Sequence, residues 1–355
     1  MLFSGSAPTL LRAWRRALAA CALLACSAGI AQAAAFTVLL ADDSAPHADF
    51  VRQLRELHNG SARFDVVRVD APAPAGTAVA AAPAELAGDD ERSPQAGVRT
   101  RGLRSLPAAP VADGVTFAVG ARAARVAIDR PGNEPLVLAM LSRLEYEDLR
   151  ALPSLRRADR RVGVLLRDPA MADQLTVAGA ALTDRKRRLG LVVTPESEPL
   201  LRELQKAAGK EWELQIEYAP DARSLATALR NVLPRSDALM VLPDLIGDNQ
   251  AATLAVLRAG ASAGLPVFGA SDGMVRSGGL AAAVSTPQQL AQQARAMAQK
   301  LAAAAGYSGS GTPVVEAATP ASVRVNATVA RGLGLRLPDE RELTERVASA
   351  AAATR

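Results

Sequence analysis

Six short apolar runs in this sequence stop at residues that can hydrogen-bond, carry charge or admit a close backbone approach. FTVLLA (36–41) gives way to Asp42, Asp43 and Ser44, VTFAV (115–119) to Gly120 and Ala121, and VLAML (137–141) to Ser142 and Arg143. Further on, LVV (191–193) precedes Thr194 and Ser197, LMVLP (239–243) precedes Asp244, and VFGA (267–270) precedes Ser271 and Asp272. At the carboxyl end of a parallel strand, the next helix offers free N–H groups and partial positive charge, so an anion can be held there. A carboxylate in the same place can meet an amine, and Gly269 and Gly273 beside the Ser-Asp pair would let the backbone approach a ligand. The same residue types also cap helices, so each position has a structural reading as well: Asp42, Asp43 and Ser44 before one helix, Ser271 and Asp272 before a turn.

Catalytic chemistry finds little support. Gly260-Ala261-Ser262-Ala263-Gly264 fits the spacing of a hydrolase nucleophile elbow, but there a strand must enter the serine and a helix leave it. Here a helical stretch enters and an apolar run leaves, and both histidines, His47 and His58, precede the serine. A phosphate-cradling glycine loop after the first strand is missing, as is a Gly-Lys-Ser/Thr phosphate loop, so nucleotide chemistry is not expected. The two histidines are expected to be surface residues flanking the first helix, with no metal site and no cofactor.

The elements that would position these residues alternate. Apolar runs at 36–41, 64–70, 115–120, 134–141 and 162–166 are separated by helical stretches near 48–57, 121–128 and, after the last run, 171–182. A second series begins at 187–197 and continues through 213–219, 238–244 and 266–271, with helices near 200–208, 222–233 and 251–263. This β-α-β-α order implies parallel sheets covered by helices on both faces, in two doubly wound, Rossmann-like lobes. A long amphipathic helix (287–305) and a Gly/Ser/Pro-rich connector follow, as expected if the chain crosses between the lobes more than once and makes a multi-strand hinge. The Ala/Pro-rich segment 71–97 has no steady period and reads as a mobile surface loop.

Residues 1–33 have a positive start, an apolar stretch of about 14 residues and the small-x-small sequence Ala31-Gln32-Ala33, the pattern of a cleaved secretory leader. Cys21 and Cys26, the chain's two cysteines, both lie inside it, so the exported protein is expected to contain no thiol. A rival reading takes Leu23-Leu24-Ala25-Cys26 as a lipidation signal, but Leu24 fits that signal poorly, and a free periplasmic protein is expected. Of the net charge of +5, three positive charges fall in the leader; the near-neutral remainder, without a basic stripe, excludes nucleic acid as the expected partner. With aromatic residues at 3%, a sugar platform of stacked rings is not expected either.

The second half resembles a known family. ALMVLPD, LPVFGASDGMVRSGGLAAAVST and SVRVNATVARGLGLRLPD, the last carrying Asn326, Ala330, Leu333, Gly334, Leu335, Leu337 and Pro338, are similar in order and spacing to substrate-binding proteins of ABC transporters, in the branch with the type I periplasmic-binding-protein fold. The match is good over roughly 185–345; VTFAVGARAA and VLLADDSAPHADF fit more loosely, while 71–97 and 141–161 depart from it. The resemblance implies one lobe from 34–184 plus 287–312 and another from 185–286 plus 313–355, with a small polar solute captured between them by hinge closure. It implies an inner-membrane ABC permease as partner, a monomer, and no enzymatic activity. It also singles out Asp244 for a ligand amine and the Gly120 turn for a carboxylate, which together would suit an amino acid or similar zwitterion. The alternative expectation is an envelope sensor or accessory protein with the same fold and a degenerate cleft.

Overall fold

The computed structural model describes residues 35–58, 63–69, 114–182, 187–269, 271–303, 311–320 and 322–353. The expected leader, with its two cysteines, and segment 71–97 lie outside the described residues.

The first lobe opens with β1 (Ala35–Leu40), whose alternation sends Phe36, Val38 and Leu40 to one side of the sheet and Leu39 to the other. Helix α1 (Ala45–Leu57) buries Phe50, Val51 and Leu54, β2 (Phe64–Arg68) follows, and the chain resumes in β3 (Gly114–Val119) and α2 (Gly120–Asp129). Then come β4 (Leu136–Leu141), α3 (Arg143–Arg150) and β5 (Val162–Pro169). Strands β3 and β4 are buried at every residue, as expected where helices cover both faces of a parallel sheet.

The second lobe repeats the plan with α4 (Met171–Ala181), β6 (Arg188–Val193), α5 (Glu198–Ala208), β7 (Glu213–Tyr218), α6 (Ala222–Val232) and β8 (Ala238–Met240). It continues through α7 (Gln250–Ser262), β9 (Val267–Phe268), α8 (Asp272–Arg276) and β10 (Ala281–Val284). The chain returns to the first lobe with α9 (Pro287–Ala303) and β11 (Val314–Ala318), and ends in the second with β12 (Ser322–Val325), α10 (Ala327–Gly332) and α11 (Glu340–Ala353).

The two six-stranded sheets have the orders β11-β5-β4-β3-β1-β2 and β12-β10-β9-β8-β6-β7. All pairings are parallel except that of β12 with β10. In the first sheet β2 and β3 leave β1 on opposite sides; in the second, β7 and β8 do the same around β6. The crevices at the carboxyl ends of β1/β3 and β6/β8 are therefore the two places where helices part to opposite faces.

Two expected boundaries shift. Helix α4 belongs to the second lobe: Gln174 brackets Ala283 of β10, donating to its carbonyl at 2.8 Å and accepting from its N–H at 3.0 Å, and Met171, Leu175 and Ala178 join the second core. The first crossing therefore falls just after β5 rather than at 184. Strand β11 pairs with β5, so it extends the first sheet instead of starting the second lobe's last segment. The two shifts have different causes: the first crossing runs straight out of β5 with no linker composition to mark it, whereas β11 lies inside the Gly/Ser/Pro-rich connector, whose composition masks a strand. The later crossings are laced together, Ser285 donating to the Thr319 carbonyl at 2.8 Å and Gln289 to that of Pro320 at 3.2 Å.

Candidate functional site

In the second lobe the crevice between β6 and β8 is stitched shut by its own polar groups. Asp244 is 1% exposed and Ser197 fully buried. The Asp244 Oδ1 accepts the N–H groups of Ile246 at 2.9 Å and Gly247 at 3.0 Å, while Oδ2 accepts the Ser197 hydroxyl at 2.6 Å. Ser197 in turn receives the Thr194 N–H at 3.2 Å, and the two hydroxyls lie 3.1 Å apart. Burial pushes the Asp244 carboxyl above its ordinary range, against the hydrogen bonds from Ser197, Gly247 and Ile246. The expectation that Asp244 meets a ligand amine is thus corrected: in this structure Oδ1 serves the loop between β8 and α7 and Oδ2 serves Ser197 after β6. That loop instead presents Leu245, 59% exposed, and Asp248.

Ser271 and Asp272 also resolve structurally. The Ser271 hydroxyl caps α8 by accepting the Met274 N–H at 3.2 Å; Asp272 pairs with Arg276 and lies 3.8 Å from Arg324. A Cβ at Gly269 would overlap the Met274 sulfur, so the glycine makes room for that side chain. A strand ending in Ser-Asp among glycines here serves a helix start. In the first lobe Ser142 is likewise a cap, in a reciprocal box: Glu145 N–H to Ser142 Oγ at 3.2 Å, Ser142 N–H to Glu145 Oε2 at 2.7 Å. It is buried, and the strand reaches it through Met140, at φ 62° beside a break in the β4–β5 register. Arg143 lies over the Tyr146 ring and 3.3 Å from Glu147.

The β1/β3 crevice is different. Asp42 Oδ1 accepts the Ser44 N–H at 3.1 Å and His47 Nδ1 at 2.8 Å. Partial burial alone would raise the Asp42 carboxyl, but the bonds from Ser44 and His47 outweigh it and hold the group below its ordinary range. Asp43 pairs with Arg68, and Ser44 sits at the head of α1 without a side-chain cap. Gly120, at φ 80°, opens α2 directly beneath the imidazole: a Cβ there would fall 2.6 Å from His47 Cε1. Ala121 follows, half-buried, in a first turn to which no side chain supplies a cap. The expectation of two surface histidines is corrected for both: His47 is 14% exposed against Gly120, and His58 is buried among Phe36 and Phe64.

Between the lobes lies a charged group that the strand-end reading missed, because it took β5 to stop at 166. Arg167, at the end of β5, lies 3.6 Å from Asp248 of the second lobe, 3.8 Å from Glu145 of α3 and 4.0 Å from its neighbour Asp168. Burial, reinforced by Asp248, Glu145 and Glu203 and opposed by Arg167, pushes the Asp168 carboxyl up to about 6; its Oδ2 is sealed without a hydrogen bond. This contact shows that the carboxyl ends of the two sheets face each other. None of the twelve strand-end candidates lines either of two cavities found elsewhere. One, of about 200 Å³, is bordered by Val162, Met297 and Val314; the other, of about 960 Å³, runs along α4, β11 and α11.

Two open α/β sheets, their carboxyl ends opposed, joined by three crossings, define a two-lobed solute-binding protein of the type I periplasmic-binding-protein fold. A family model described as ABC transporter substrate binding protein matches residues 168–347, half of the chain, and the chain belongs to that family. The family is one of solute binding rather than catalysis, with a small-molecule ligand and a transporter as partner. Among solved structures, a ligand-free, open substrate-binding protein with adhesive properties from Clostridium difficile is 16% identical with a TM-score of 0.57, covering 86% of this chain and 95% of its own. A conserved domain protein from Vibrio cholerae is 17% identical (TM-score 0.51; 88% and 98% covered), and an ABC domain in complex with L-Trp from Streptococcus pneumonia is 15% identical (0.51; 88% and 98%). At these identities the likeness is one of fold. No curated protein matches the sequence. Among the described residues no helix is long and apolar enough to cross a membrane.

Proposed function

We propose that the protein captures an amino acid or similar small zwitterion between its lobes in the periplasm, after removal of its leader, and delivers it as a monomer to an inner-membrane ABC permease. The observation that carries this reading is the Arg167–Asp248 approach at 3.6 Å, which brings the loop after β8 against the end of β5 across the cleft. Around it stand charges of both signs, as a zwitterion requires, and the uncapped start of α2 at Gly120 supplies N–H groups for a carboxylate. The neighbour bound to L-Trp supports an amino acid over a sugar. Thermal melting with each of the twenty L-amino acids tests the reading, since a solute that binds only the folded state raises the melting temperature. No shift with any of them, and no affinity tighter than millimolar in calorimetry, would overturn it.

One observation favours the second reading, a sensor or accessory protein that binds another protein: Asp244 is closed off from any solute. A stable complex with an envelope protein, together with the absence of solute binding, would select it.

A further inference from the structure

Resting on the zwitterion reading above, we propose that the ammonium group of the solute is taken by the His47–Asp42 pair, His47 Nε2 being the accepting atom. An ionised carboxylate can only accept, so the 2.8 Å contact with Asp42 Oδ1 requires the imidazole proton to sit on Nδ1. In the neutral form of the ring, the form that binds the solute, the lone pair is then on Nε2. Among the described residues that atom has no hydrogen-bond partner, and it is not sealed from solvent. Asp42 is thereby a positioning residue that fixes the tautomer, and its charge favours a cation beside the ring.

Topology places the pair where a ligand is expected, and a comparison of the two lobes isolates it. The corresponding crevice of the second lobe is closed by Ser197 and Asp244. Other strand-end carboxylates are engaged: Asp43 by Arg68, Asp272 by Arg276. Asp168 keeps an unpartnered oxygen, but it is sealed from solvent, whereas Asp42, held by Ser44 and His47, has a partly exposed side chain. Gly120 is what lets the ring lie there, and Nε2 would be 3.2 Å from a Cβ at that position. The acceptor thus stands next to the first turn of α2, matching the adjacent amine and carboxylate of an amino acid.

The test compares the tightest-binding of the twenty L-amino acids with its N-acetyl derivative, which keeps the carboxylate and lacks the ammonium. By calorimetry the wild-type protein is expected to favour the free amino acid by about 10- to 100-fold, the range for a charged hydrogen bond. His47→Ala and Asp42→Asn should bring that preference within about threefold, and His47→Gln, which keeps an acceptor, should retain part of it. A purely structural role would weaken both ligands equally and leave the ratio untouched. The chain has two histidines, so the NMR signal of buried His58 reports an intact fold in each variant. The His47 signal should move with the amino acid and not with its N-acetyl form. If no amino acid binds the wild-type protein, the zwitterion reading fails and this assignment with it. If one binds and the preference survives in His47→Ala, the assignment alone is overturned.

Discussion

Asp244 illustrates how a carboxylate beside a cleft can belong to the scaffold. Its three hydrogen bonds hold the loop that carries Leu245 and Asp248, and removing it strands a buried hydroxyl and two N–H groups. Asp244→Ala is expected to cost on the order of 3 kcal/mol in urea unfolding. A loss below about 0.5 kcal/mol, in the range of an ordinary surface change, would show that the network contributes little. Ser142→Ala is expected to cost about 1 kcal/mol, the usual worth of a cap, without altering solute affinity; a selective loss of affinity would return Ser142 to the binding surface. The two residues look alike in sequence, each a polar residue after an apolar run. Only burial and partners separate a cap from a contact.

At the scale of elements, β1 to β9 and the longer helices between them were legible from their apolar periods, and Gly120 was legible as a tight strand-to-helix turn, whereas the short strands β10 to β12 and the helices α3, α8, α10 and α11 were not read. What the glycine accommodates was not: His47 lies on another helix, 73 positions earlier, and nothing local connects them. Gly120→Ala is expected to destabilise the fold by about 1–3 kcal/mol, through positive φ and overlap with the imidazole together. A melting temperature equal to wild type would show that the ring yields at no cost. Resemblance pointed correctly to two lobes, yet it took α4 and β11 into the wrong ones. Lobe membership depends on partners across the sheet, such as Gln174 on Ala283, and not on the helix or strand itself. The role of Arg167 and Asp168 was hidden for the opposite reason, since they continue a strand that the apolar run alone made too short.

For the molecule as a whole, the contact between lobes is electrostatically uneven. Glu145, Asp168 and Asp248 gather around Arg167, and burial above all, with Asp248, Glu145 and Glu203 adding to it against Arg167, pushes the Asp168 carboxyl up to about 6. An acid raised in this way binds its proton more readily folded than unfolded. Its contribution to stability is therefore present below the ordinary aspartate range and is lost as pH rises from about 4 through about 6. Asp168→Asn should flatten that part of the stability–pH curve, stabilising the protein at pH 7 relative to pH 4 by on the order of 2 kcal/mol. Parallel curves for variant and wild type would show that solvent or rearrangement already relieves the burial.

The threefold crossing also governs the order in which the molecule can be completed. Strand β11 supplies the outer rung beside β5, and Leu290, Ala294 and Met297 of α9 roof the side of the first sheet that holds Phe50 and Leu54. Those pieces come after residue 286, so an emerging or secreted chain cannot finish its first half until most of the second has appeared. A fragment stopped at Ala170 would leave that apolar face bare, and separate halves should not assemble as independent units the way tandem modules do.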